Sequence, residues 1–153
     1  MPASLYLRIL TIHSYLRWFV LLAAVAAVVV SFSGMLRGWP FKPSGRKVGA
    51  VFTGLLDLQL LIGLYLYSTS PMVRAALANM AAAMKQKDLR VFAVEHLTTM
   101  LIAVVLAHIG SFRAKRASGD KSAYSRALLW YSASFIVLIL GIPWWRPLFR
   151  AIT

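Results

Sequence analysis

The chain has 153 residues, one domain's worth, of which 60% are hydrophobic and 14% charged against about 25% charged in an ordinary soluble domain, so lipid is the expected solvent for much of its surface. Cysteine is absent, which excludes a disulfide framework, thiolate metal sites, iron–sulfur clusters and covalent haem attachment through CxxCH. The net charge of +13, from 17 Lys and Arg against four acids, sits in the gaps between apolar runs, where anionic lipid headgroups account for it and no nucleic acid is called for.

Four apolar stretches follow one another, and a helix needs about 20 residues to cross the hydrocarbon core. The first, about residues 5–36 with its core from Trp18 to Phe32, is too long for a signal peptide's apolar region and reads as a retained helix. Gly38, Pro40, Pro43, Ser44 and Gly45 then stop it and build a turn. The second stretch covers about 48–68. After it, Ser70–Pro71 reads as an N-cap with proline at the first helical position. Val73, Leu77, Met80 and Met84 recur at helical spacing, which predicts an amphipathic helix over about 71–85 lying in the membrane interface.

The third stretch covers about 91–112. A basic loop from Arg113 to Arg126 has Ser118–Gly119–Asp120 at its tip. The fourth reaches spanning length over about 127–145 once Trp144 and Trp145 are counted. The expected architecture is all-α and a single transmembrane domain: an integral membrane four-helix bundle with an additional interfacial amphipathic helix between helices two and three. An even helix count puts Met1 and Thr153 on one side. Nine of the 17 cations lie in the compact first and third loops, so those loops read as cytoplasmic and both termini as periplasmic. The other eight include Arg17 and Arg150.

Ionisable residues inside a span are costly and are candidates for function. They are His13, Arg17, Asp57, Glu95, His96 and His108. Helices one and three run in the same direction, His13 and His96 stand near their starts, and in a bundle with short connections those helices face each other across a diagonal. Two histidines at matched depth on diagonal helices suit axial ligation of a haem iron. Arg17, one turn after His13 on the same face, and Arg146, which returns to the same side, suit the propionates. Ala24, Ala103 and Ala107 leave room for a flat macrocycle or for ordinary helix packing. The alternative for the histidines is structural: His13 facing headgroups, His96 bonded to a carbonyl or to Glu95. For Glu95, the candidate counter-ions are Arg17, Arg90 and Arg146.

His108 lies twelve residues, about 18 Å, beyond His96. A second haem there would have only Met35 as a partner, at a poor depth match. Asp57 and Gln59 lie well inside helix two, where the carboxyl is expected to pair with a helix-four hydroxyl, such as Ser132 or Ser134, or to sit protonated, or to serve a proton-transfer or quinone site. No HExxH, P-loop or Ser–His–Asp spacing appears.

His13-Ser-Tyr-Leu-Arg17-Trp18, Asp57-Leu-Gln59-Leu-Leu-Ile-Gly63-Leu-Tyr65, Glu95-His96 and Leu-Ala-His108-Ile-Gly110 together resemble a family of small bacterial four-helix membrane proteins of the cytochrome b-like type, over nearly the whole chain. The resemblance implies haem. The sequence departs from larger haem b bundles, whose ligand-bearing helices each carry two histidines; helix one here carries one.

The functional expectation is a small b-type cytochrome or cytochrome-like subunit of the bacterial inner membrane. It would carry one haem b on His13 and His96, with Arg17 and Arg146 beside it. With no soluble domain in the loops, the redox partner would be quinol or a partner subunit. Two other classes stand beside it: a cofactor-free structural subunit of a larger membrane complex, and a small transporter for which Asp57 would be the key residue.

Overall fold

The computed structural model describes residues 3–147; Met1, Arg150 and Thr153, which enter the expected topology, lie outside them. Its elements are α1 (Ala3–Arg37), α2 (Ser44–Thr69), α3 (Pro71–Ala78), α4 (Met80–Ala83), α5 (Lys87–Arg90), a π-helical turn (Val91–Glu95), α6 (His96–Lys115) and α7 (Asp120–Gly141). No strand occurs among the described residues. Four helical stretches are long and apolar enough to cross a membrane: Ser4–Arg37, Ser44–Thr69, Lys87–Lys115 and Asp120–Gly141. Large side chains cover their outer faces, with Leu140 76% and Leu22 67% exposed. A water-soluble bundle buries such residues, so by length and composition the chain is a multi-pass membrane protein.

The helices form a ring in which α1 packs on α2 and α7, and α6 packs on the same two. Helices α1 and α6 thus stand on one diagonal, as their chain order and short connections require. Small residues at the centre bring the four together: Ala24, Ala27, Ala103, Ala107 and Ala127 are all buried within one core with Phe52, Tyr124 and Tyr131. Ser134 Oγ donates to the Ala103 carbonyl oxygen at 2.7 Å, a bond that in hydrocarbon has no water to replace it.

At the end away from the start of α1, two connections are tied together. Gly38, at φ +64°, takes the left-handed conformation that ends α1. The chain then crosses to α7, where Asp120 Oδ1 accepts from the Phe41 amide at 2.9 Å and Tyr124 Oη donates to the Pro40 carbonyl at 3.1 Å. The Tyr124 ring stands edge-on to Phe41 and fills the space beside Gly34, where a Cβ would overlap it.

Helix α2 begins at Ser44, inside the expected turn, and not at 48, and the third span begins at Lys87 and not at 91; two further boundaries differ more. Helix α7 begins at Asp120 and ends at Gly141, so it spans 120–141 and not 127–145. Its first turns are built from the basic loop, and Pro143 ends it by removing an amide donor. Trp144 and Trp145 lie beyond the helix, donating from Nε1 to the Ile139 carbonyl (2.8 Å) and to Asp88 Oδ1 (3.2 Å). The segment expected as one helix over 71–85 is two, broken at Asn79, whose side chain caps the Ala82 amide. Ser70, in extended conformation, separates α3 from α2 and accepts from the Val73 amide, with Pro71 at the start of α3. Val73 and Ala76 turn inward, while Leu77, Met80 and Met84 are exposed.

Candidate functional site

His13 stands ten residues into α1 and His96 nine residues above Lys87, where the third span begins. At 1.5 Å per residue both lie about 14–15 Å from the same end. Both line a cavity of about 220 Å³ between the diagonal helices, as do Arg17 and Arg146. Its walls are otherwise mainly apolar, including Leu56, Met100 and Leu138, and α3 contributes Met72 and Val73.

His96 is fixed by two backbone features. The π-turn before it bonds the His96 amide to the Val91 carbonyl, five residues back, which offsets the helix register at a place where such turns often mark function. The ring Nδ1 lies 2.8 Å from the Gly141 carbonyl oxygen. A carbonyl only accepts, so Nδ1 carries the hydrogen and Nε2 keeps its lone pair. A backbone carbonyl on one imidazole nitrogen is the usual means of orienting the other toward a metal.

His13 is held differently. Gln59 Nε2 donates to the His13 carbonyl oxygen at 3.0 Å and faces the ring Nε2 at 3.3 Å. Ring Nε2 is then the acceptor and Nδ1 carries the hydrogen. His13 Nδ1, Gln59 Oε1 and Arg146 Nε are buried without a hydrogen-bond partner. Each such group costs about 1–3 kcal/mol unless a bound molecule pairs it. Gly63 packs against the imidazole, where a Cβ would come within 3.2 Å of His13 Cε1.

The donor chemistry fits haem: two imidazoles from opposite walls, apolar surfaces for a macrocycle and two guanidinium groups for its carboxylates. The volume is tight. Pockets for organic ligands usually hold about 300–1,000 Å³, so a porphyrin must displace wall side chains, of which Met72 and Met100 are the most pliable. Ala24, Ala103 and Ala107 do not line this cavity; they close the bundle core above it. Arg146 is partly committed elsewhere, its Nη2 pairing with Asp88 Oδ2 at 2.8 Å. No group of three or more His, Cys, Asp or Glu able to hold a metal ion occurs among the described residues.

One other expectation resolves differently. Asp57 pairs not with Ser132 or Ser134 but with His108, whose Nε2 lies 2.8 Å from Asp57 Oδ1. Glu95 pairs with Arg90, one of its three candidate counter-ions, at the turn that leads into α6. The Gln59–His13 bond, the π-turn and the Asp57–His108 pair were missed from sequence. Depth counting does not find the last: Asp57 lies thirteen residues inside α2 from Ser44, and His108 seven inside α6 from Lys115, so only the packing of the two helices brings them together.

Compared with protein-family models, with curated proteins and with solved structures, the chain matches none.

Proposed function

We propose that the chain is a small b-type cytochrome, or cytochrome-like subunit, that carries one haem for electron transfer in the bacterial inner membrane. The observation that supports it is the shared cavity of His13 and His96 on diagonal helices, with His96 Nδ1 on the Gly141 carbonyl and Nε2 left to bind iron. His13 would hold the group from its own wall of the cavity, with its ring nitrogen released from Gln59. Arg17 and Arg146 attract the propionates, and the apolar wall keeps water from the iron. When bound, the haem supplies a one-electron couple. Quinol or a docked partner subunit delivers or removes the electron, since the loops hold no redox domain.

In the same reading the compact basic loops lie in the cytoplasm against anionic headgroups and the termini in the periplasm. Helices α3 and α4 lie in the membrane plane with Leu77, Met80 and Met84 toward lipid.

The test is the spectrum of protein produced with ample haem. Wild type shows a Soret band and dithionite-reduced α and β bands. His13→Ala and His96→Ala each abolish or strongly weaken them, and His108→Ala leaves them nearly unchanged. A wild-type protein without a Soret band overturns the cytochrome reading in favour of a structural subunit.

A further inference from the structure

Asp57 stands near the middle of α2, and His108 lies seven residues, about 10 Å, inside the end of α6 at Lys115. Their side chains meet at 2.8 Å across the α2–α6 seam and remain 45% and 51% exposed. They take no part in the His13–His96 cavity. This is a polar pair at hydrocarbon depth on the outside of the bundle, where ionisable residues ordinarily turn inward.

Its hydrogen-bond polarity is defined. A carboxylate accepts, so His108 donates from Nε2 and Nδ1 is left as an acceptor. Asp57 holds the ring in that tautomer and stabilises the imidazolium if Nδ1 gains a proton, as a carboxylate does behind any imidazole base. The exposed pair therefore holds a carboxylate-backed proton acceptor on the outer side of the bundle. Around it the surface is open and apolar. Gly54, one turn before Asp57, has nothing near the position of a Cβ, and Leu61, Val105 and Phe112 are exposed on the flanking turns. A ligand arriving through hydrocarbon must be lipid-soluble, flat enough to lie over Gly54 and able to donate an acidic hydroxyl. A phenolic hydroxyl, with a pKa of about 10, meets that requirement; an aliphatic alcohol is far too weak an acid.

We propose that the Asp57–His108 pair binds the headgroup of a lipid-soluble hydroquinone and accepts its first proton. The hydroxyl donates to His108 Nδ1. On transfer the O–H bond breaks, an N–H bond forms, the bonding pair stays on oxygen as the quinolate, and Asp57 holds the imidazolium. The proposal names the quinol site of the electron-transfer reading and rests on that reading only for where the electrons go.

Purified protein in phosphatidylcholine vesicles is titrated with decylubiquinol and with decylubiquinone, and labelled with a short-tailed azidoquinone held reduced. Decylubiquinol binds more tightly than decylubiquinone, because Nδ1 accepts, and the label maps to the peptides carrying Asp57 and His108. Asp57→Asn and His108→Gln each weaken decylubiquinol binding by about tenfold or more, as loss of a hydrogen bond to a charged group does, with circular dichroism confirming retained helix. Labelling at the His13–His96 cavity, or variants that bind as wild type does, overturns the proposal. So does a wild-type dimer that both variants convert to monomer without change in quinol affinity, which assigns the pair to contact between copies. The Soret band of the same samples is read separately: its absence with dyad-dependent binding intact removes the haem and leaves this site, and its presence without such binding does the reverse.

Discussion

Gly63 sets how closely α2 approaches the His13 ring, since a Cβ there would come within 3.2 Å of Cε1. Gly63→Ala therefore shifts the imidazole by a few tenths of an ångström, whereas Gly63→Leu drives the larger side chain into the cavity. The expected outcome is a weakened Soret band for alanine and none for leucine, with the helical circular dichroism of both close to wild type. The two histidines were legible from chain position alone, because matched depth on same-direction helices needs only the rise per residue. Their tautomers were not, because the Gly141 carbonyl and the Gln59 amide that assign them come from other helices. The pairing of Asp57 is hidden for a related reason: α2 packs on α6, and His108 lies closer to its helix end than Asp57 does, so residue counting alone does not bring the two to one level.

At the scale of elements, the four spans were plain in the sequence because each is a long apolar run, and hydrocarbon leaves a helix no alternative to satisfying its own backbone. The boundaries were harder. A polar, basic start to α7 looked like loop, yet Asp120 is held by the Phe41 amide and the helix begins there. The π-turn has no compositional signature; only the offset of the His96 amide reveals it. The break at Asn79 was hidden beneath an apolar stripe that continues through it. Ser70 is the cap that detaches α3 from α2, and replacing such a cap by alanine costs about 1 kcal/mol. Ser70→Ala is expected to speed amide exchange across Pro71–Ala78 by roughly fivefold while leaving α2 protected. A brominated lipid placed at the headgroup level should quench a tryptophan at Leu77 or Met84 but not one at Val73, which faces the bundle. Equal quenching at all three positions contradicts the interfacial arrangement.

Across the whole molecule, the ring of helices puts the Phe41 and Ser118 connections at one end and Lys87 at the other. The natural chain lacks cysteine, so single cysteines introduced at Lys42, Ser118 and Lys87 report cleanly. In intact spheroplasts an impermeant maleimide is expected to label the Lys87 position and to spare the other two until the membrane is opened. Labelling of Lys42 and Ser118 first reverses the orientation, and labelling of Lys42 and Lys87 from the same side breaks the four-span topology.

The two ends are not equally fastened. Far from the cavity, Asp120, Tyr124 and Phe41 bind two connections into one knot. Beside the cavity, Asp88 takes Arg146 and Trp145 onto one carboxylate, and Lys87 rests on the Trp145 ring at 4.1 Å. That end is also held by Tyr67 Oη, which donates to the Ala93 carbonyl at 2.9 Å, and by His96 on Gly141, so the Asp88 cluster is one of several ties around the cavity. Loosening the Asp88 tie is expected to ease the entry or exit of a flat ligand wider than the resting gap. Asp88→Ala should accordingly speed transfer of haem to excess apomyoglobin severalfold, by freeing about 1 kcal/mol of exposed ion pair, while the midpoint of thermal unfolding moves little.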